Sequence, residues 1–320
     1  MPILSIIIPI YNAQSHLSQT IESVIYQSFK SFELILVDDG STDSSLKICK
    51  DYALKDDRII IKTQNNKGVS SARNNGLSVS TGQWIYFLDS DDLLNIEFIN
   101  EISIFFDSDV DVIQFGSKQT INNEFVSYRQ TLTNGDLKVT AGINEFIKTS
   151  NIGALCVWLH VINKKLIDKN KIKFYEDMQH NEDMLFMYQV LAASNKHVFI
   201  GKTLHTQRLI ANSLSRSPIS ELKINNRLLL VDRLLDTYQR NPKELKILMH
   251  EANDLLKWYF GSLLELEKSE GKKITRFNKK YRFFYLENKS SLNTCFSKLG
   301  SIDIRIVLLL LKIRHLIFRR

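Results

Sequence analysis

Cysteine is scarce in this 320-residue chain: Cys49, Cys156 and Cys295 are far apart, odd in number and free of any Cys-X-X-Cys or Cys/His spacing. That leaves no basis for a disulfide framework or a zinc site, and fits a reducing cytoplasm. No His-Glu-X-X-His or similar pattern is present, so His160, His180 and His205 read as surface or core residues. No uninterrupted apolar run reaches the ~20 residues a membrane span needs, although the last twenty residues come near it. The apolar N-terminus, Met1-Pro2-Ile3-Leu4-Ser5-Ile6-Ile7-Ile8-Pro9, has no basic leader and no small-residue cleavage site, and Pro9 ends the run too early for a signal peptide. It reads as a first strand. Internal repeats and low-complexity tracts are missing too.

What is there suits an enzyme-sized chain. A content of 44% hydrophobic and 24% charged residues suggests one large domain plus an appendage. Short β-branched runs at residues 3–9, 32–37, 59–62, 84–88 and 110–115 predict strands. Helical patterns fall between them: Leu17, Ile21, Val24 and Ile25 after Ser15 as N-cap, residues 46–54 after Ser44, a short helix over 72–77, and residues 96–106 after Asn95. Alternating strands and helices, with strands apolar on both faces, predict an α/β fold with a mostly parallel central sheet covered on two sides. Residues 122–140 are polar, with Asn134-Gly135 as a hairpin or loop, and the pattern beyond residue 217 is wholly helical.

In such sheets chemistry belongs beyond the carboxyl ends of the strands. The densest signal lies there, where Tyr86-Phe87-Leu88 runs into Asp89-Ser90-Asp91-Asp92. Clustered carboxylates repel and raise one another's pKa, so three acids in four positions point to a divalent cation. Asp38-Asp39-Gly40-Ser41-Thr42-Asp43 follows the second strand and reads either as a capped strand-to-helix turn or as an acceptor for a base N–H. The loop carrying Lys67, Gly68 and Arg73 leads into a helix, which suits a diphosphate, while solvated surface charge is the plain alternative. Glu182-Asp183 after Asn181 opens a helix, a place that favours acids for dipole reasons alone.

Together these segments resemble the family 2 glycosyltransferases of GT-A fold, particularly bacterial enzymes that build capsular or lipopolysaccharide glycans. The resemblance rests on Ser5-Ile6-Ile7-Ile8-Pro9-Ile10-Tyr11-Asn12, on the Asp38 to Asp43 string, on Ala72-Arg73-Asn74-Asn75-Gly76, on Phe87-Leu88-Asp89-Ser90-Asp91-Asp92 and on Glu182-Asp183. It covers roughly residues 1–215. It implies a GT-A catalytic domain over 1–216, with a nucleotide-sugar half at 1–116 and an acceptor half at 117–216, followed by a helical region at 217–320. It also implies donor binding by Pro9, Tyr11, Asn12, Asp39, Arg73, Asp89 and Ser90, and a divalent metal, Mn2+ or Mg2+, on Asp91 with Asp89 and Asp92. Asp183 takes the place of the catalytic base, with Glu182 steering the acceptor or base. Arg208 and Ser213 look like the family's loop over the diphosphate, although His205, Thr206 and Gln207 stand where tyrosines are frequent. Trp158 is followed by Leu159-His160 rather than the usual Asn-Lys pair.

The activity so implied is inverting transfer of a sugar from a nucleoside-diphosphate donor, UDP by resemblance, to a hydroxyl of a glycan or an undecaprenyl-diphosphate-linked acceptor. Nucleotidyl transfer is the competing chemistry, but it asks for a glycine-rich basic loop where Ile10-Tyr11-Asn12-Ala13-Gln14 stands. A catalytically silent scaffold is the competing class, and the presence of both Asp91 and Asp183 argues against it. The net charge of +7 gathers in the tail, at Lys272, Lys273, Arg276, Lys279, Lys280 and Arg282, without a base-reading motif, so specific nucleic-acid binding is not expected. Over residues 301–320 the apolar pattern carries Arg305, Lys312, His315 and Arg319 along one helical stripe, with Arg314 off it, which predicts a helix lying on the inner face of the cell membrane. Packing of that helix on its neighbours, or on a second subunit of a homodimer, is the alternative.

Overall fold

The chain divides into two units, Met1–Ser217 and Pro218–Arg320. The computed structural model describes residues 1–129, 135–149 and 155–210, and beyond them only residues 220, 222, 223, 226, 229, 230, 233 and 234. The terminal segment 301–320, Asn134 and Ser213 lie outside the described residues. No helix among the described residues is long and apolar enough to cross a membrane.

The first unit begins with four strands and three helices in alternation: β1 (Leu4–Ile10), α1 (Leu17–Ile25), β2 (Phe32–Asp38), α2 (Ser45–Ala53), β3 (Ile59–Thr63), α3 (Val69–Val79) and β4 (Trp84–Phe87). There follow β5 (Leu93–Leu94), α4 (Phe98–Ser103), β6 (Val112–Ile121), β7 (Glu124–Arg129), β8 (Leu137–Ala141), α5 (Gly142–Thr149), a 3-10 turn at Val157–Leu159, β9 (His160–Asn163), α6 (Lys164–Asn170), α7 (Glu182–Ala193) and β10 (Lys196–Arg208).

All these strands form one sheet, in the order β3-β2-β1-β4-β9-β6-β10-β5, with β7 added to β6 and β8 to β10. Parallel pairing joins β3, β2, β1 and β4, and again β6 and β10. β9 enters antiparallel to both β4 and β6, so β6 points the same way as β4. Every residue of β1 and β2 is buried, as a sheet covered on both faces requires. Ile6, Ile8 and Ile10 join Leu17, Ile21 and Val24 of α1 in the main core cluster. On the other face a Cβ at Gly76 would lie 2.4 Å from Ile7 Cγ2, so the glycine lets α3 sit directly on β1.

Several boundaries differ from the sequence reading for local reasons. α1 starts two residues after Ser15, because the His16 and Leu17 N–H groups both turn back onto the Ala13 carbonyl. α3 is longer than 72–77 at both ends, since Gly68, at φ 89°, supplies the entry and Ser70 and Ser71 face inward despite their weak helix propensity. Asn95 does not cap the fourth helix; its Oδ1 takes the Glu97 N–H in a turn, and Glu97 is the N-cap of α4. A hairpin turn that the sequence reading did not name lies at Asn122-Asn123, both with positive φ, where Ile121 faces Glu124. β6 runs on past the apolar segment at 110–115 that announced it, since paired strands hold polar residues that periodicity would assign to loops.

Candidate active site

The carboxyl ends of β1, β2, β3 and β4 present their following loops on one edge of the sheet. The first two loops are laced together. Asn12, at φ 50°, accepts the Thr42 N–H at 2.8 Å, and its own N–H donates to Ser41 Oγ at 3.1 Å. Ala13 N donates to Ser45 Oγ, and Asp43 takes the Gln14 and Ser45 N–H groups. Pro9 lies buried inside β1 opposite Val37, so it shapes the floor, whereas Tyr11 is half exposed above it. Asp39, nearly fully buried, ties down the third loop: Oδ1 accepts Gln64 Nε2 and Lys67 N, Oδ2 accepts Gly68 N, each at 2.8 Å. Asp38 instead caps its own turn through the Ser41 N–H at 3.3 Å.

The fourth loop carries the acids. Asp92 N bonds the Asp89 carbonyl, and Thr20 Oγ1 on α1 donates to the Ser90 carbonyl at 3.0 Å. Burial first, then the neighbouring Asp92 and Asp89, pushes the Asp91 carboxyl up to about 7. Asp92 turns into the protein, where Oδ1 takes the Arg208 N–H at 2.9 Å and Oδ2 lies 3.2 Å from His205 Nε2. Burial raises its pKa also, with His205 acting against that rise.

Of the two cations in the third loop and its helix, Lys67 is solvated and Arg73 is buried. The Arg73 guanidinium, 5% exposed, donates to Asp89 Oδ1 from one nitrogen and to Glu182 Oε1 from another, both at 2.9 Å, and lies over the Phe174 ring. It therefore joins the acidic loop to the acid pair that opens α7. The αL residue Asn181 starts that helix, and the Met184 N–H bonds Asp183 Oδ1 at 2.8 Å. Burial, reinforced by Asp183 and opposed by Arg73, pushes the Glu182 carboxyl up to about 7; burial raises Asp183 as well. Asp89, Asp91, Arg73, Glu182 and Asp183 thus fall in one electrostatically linked group.

A family model, Glycosyl transferase family 2, matches residues 5–171, more than half of the chain. The chain belongs to this family. It is 27% identical over 222 residues to the glycosyltransferase GlyA of Streptococcus pneumoniae serotype 4, covering 67% of this chain and 31% of that protein, so it spans about a third of that relative's length. Among solved structures, S. aureus TarS 1–349 in complex with UDP-GlcNAc matches with a TM-score of 0.65 at 23% identity, over 85% of this chain and 75% of that one. The Pyrobaculum calidifontis mannosyltransferase PcManGT, in complex with GDP-Man and Mn2+, matches at 0.54 and 12% identity, over 89% and 81%. At these identities the likeness establishes a shared GT-A fold.

The site offers few oxygens of its own to a cation. Among the described residues no three His, Cys, Asp or Glu side chains are grouped to hold a metal. Asp89 is a third exposed but paired to Arg73, and Asp92 is turned inward with one oxygen on the Arg208 N–H and the other 3.2 Å from His205 Nε2. Asp91 remains, half-buried and repelled by its neighbours, the state a cation would relieve. One or two carboxylates completed by substrate phosphates is how Mg2+ and its relatives are commonly held, so the residues fit such an ion.

Helix α1 is the part of the site that periodicity did not reveal. Arg208, last residue of β10, reaches Gln19 Oε1, Thr20 Oγ1 and the Asp91 carbonyl. Burial lowers its pKa, and burial with Arg208 lowers that of His16 beside it. A signal existed: Thr20 interrupts the apolar stripe of α1 and Gln27 is buried just past its end, and buried polar residues must bond something.

Proposed function

We propose that this glycosyltransferase moves a sugar from a UDP-linked donor to an acceptor hydroxyl of a surface glycan, with inversion at the anomeric carbon and with a divalent cation on Asp91. The observation that carries the reading is the Arg73 bridge, which sets the acidic loop of a diphosphate site beside Glu182-Asp183. Such a cation would neutralise the charge that develops on the leaving diphosphate. Arg208 lies across the Asp91 carbonyl and brings a second positive charge to that end of the cleft. The exposed ring of Tyr11, in the loop after β1, would receive the base.

On the other side Asp183 serves as base. Its raised proton affinity suits it to accept the acceptor's hydroxyl proton as that oxygen attacks the face opposite the leaving group. Arg73 fixes Glu182, which steers Asp183 or the acceptor. A single displacement of this kind forms one glycosidic bond, breaks the bond to the diphosphate and leaves the proton on Asp183. The basic segment at 301–320 and a lipid-linked diphosphate acceptor on the inner membrane face complete the proposal. Nucleotide sugars screened by thermal shift and by hydrolysis, with Mn2+, Mg2+ or chelator, test it. A UDP-sugar that stabilises and turns over with metal supports it; stabilisation by other nucleotides only, or no loss on chelation, rejects it.

A further inference from the structure

His205 belongs to a closed circuit of contacts around the acidic loop. The circuit starts at Tyr86 of β4, the strand that leads into Asp89, and ends on the same side chain. Asp92 closes the loop, with Oδ2 3.2 Å from His205 Nε2, and both side chains are almost fully buried. The His205 ring stacks on Trp158 with centroids 4.7 Å apart and planes 21° from parallel. The Trp158 carbonyl takes the Tyr86 hydroxyl at 3.0 Å, and Tyr86 packs on Phe98 and Phe115.

The backbone shows why His205 points inward. The pairing of β10 with β6 shifts register between Ile200 and Thr203 and again between Thr203 and His205. Irregularities of this kind re-aim side chains, and here two consecutive residues, Leu204 and His205, are both buried. Three residues on, the Arg208 N–H bonds the other oxygen of Asp92. Asp92 therefore holds the end of β10 at two points, and Arg208 leaves that end to meet Asp91 and α1.

We propose that His205 is a positioning residue for transfer: by gripping Asp92 against Trp158 it fixes the acidic loop to the end of β10, so that Asp91 and Arg208 keep their places at the donor diphosphate. The inference rests on the proposed nucleotide-sugar site. A flat ring is needed to stack on the indole, and a ring nitrogen is needed at the carboxylate. Histidine supplies both, which phenylalanine and glutamine each do only by half. Without the nitrogen, Asp92 is a buried carboxylate with one partner fewer, and its loop has reason to move.

The test compares the full chain with His205→Phe, which keeps the ring, and His205→Gln, which keeps a donor. Thermal melting first selects variants that fold. Hydrogen exchange of the ligand-free proteins then reads the loop without metal or nucleotide: faster exchange confined to residues 89–95 and 205–208 in His205→Phe is expected. Titration of Mn2+ with UDP should show affinity lower by about tenfold in His205→Phe, the range for partners that orient metal ligands, with KM for the donor rising more than kcat falls. His205→Gln should recover part of both effects. Unchanged exchange in those segments overturns the inference, as does parent-like Mn2+ and UDP affinity in His205→Phe. If the parent itself bound no UDP with Mn2+, the nucleotide reading would fall while the exchange comparison still decided the brace.

Discussion

Arg73 shows what a single buried charge must do to persist. Burial alone would lower its pKa, yet Asp89, Glu182 and Asp183 together raise it, so the guanidinium is held charged between acids on two different elements. Removing one partner from a buried pair costs about 3 to 5 kcal/mol, so the bridge constrains both the loop and α7. Asp183 is different, because its side chain bonds only locally and its raised proton affinity suits exchange with a substrate. Asp183→Asn is expected to leave nucleotide binding near that of the parent while lowering transfer about 100-fold or more, as loss of a general base does. Steady-state rates beside calorimetric UDP affinity check this, and equal turnover by the variant would remove Asp183 from the base role. Asp91→Ala is expected to act on binding instead: the affinity for UDP should lose its Mn2+ dependence, and turnover should fall with it. Unchanged calorimetry with UDP plus Mn2+ would return attention to Asp89.

At the scale of elements, the site depends on loops clamped to one another, and Gly40 is where the clamp is tightest. Its φ is +73°, and a Cβ there would lie 2.8 Å from the Asn66 backbone nitrogen, which cannot withdraw without moving the loop that Asp39 holds. Gly40→Ala should cost about 2 kcal/mol and weaken nucleotide binding together, read as a lower unfolding midpoint and a lower UDP affinity. A melt like the parent's would show that the third loop can move freely. The same elements show how far the sequence could be read. β1 to β4 were legible because each is a short apolar run closed by polar turn residues, and Asp39, Asp89, Asp91 and Glu182 stood out as candidates because acids at strand ends and helix starts are a local signal. The inward contacts of Asp92 could not be read locally, because His205 and the Arg208 N–H are more than a hundred residues away in the chain. The Asn122-Asn123 turn was missed because Asn-Gly at 134–135 is the stronger local signal, and α1 was read only for its apolar stripe. For Asp92 and for α1 a long-range partner decided the outcome, and periodicity carries no record of such partners.

Across the first unit, the two halves of the sheet meet around β9, and behind that seam sit two histidines that no proposed chemistry uses. His160 on β9 is fully buried with Nδ1 2.9 Å from the Cys156 carbonyl; His197 on β10 contacts Ser194 Oγ at 2.6 Å; Phe146 of α5 packs against both rings. Burial first, then His197, lowers His160 to about 3; burial lowers His197 to about 4 against the pull of Asp111 and Glu145. Both histidines are therefore neutral in the folded protein over a range where the unfolded chain, at 6.5, takes up protons. The stability that follows is complete above about pH 6.5 and is lost as pH falls toward the folded values, because protons then favour the unfolded state. Asp91 and Glu182, raised to about 7, work in the reverse sense, and what they contribute below their unfolded values declines as pH rises to about 7. A parent profile alone would mix the two trends, so the comparison that isolates the histidines is with His160→Leu, which leaves both acids in place. Unfolding midpoints measured from about pH 7 down to about pH 4.5 should drop more steeply for the parent than for this variant. Parallel profiles would mean that His160 takes up its proton in the folded protein at ordinary pH, and that the core behind β9 is wetter than its packing shows.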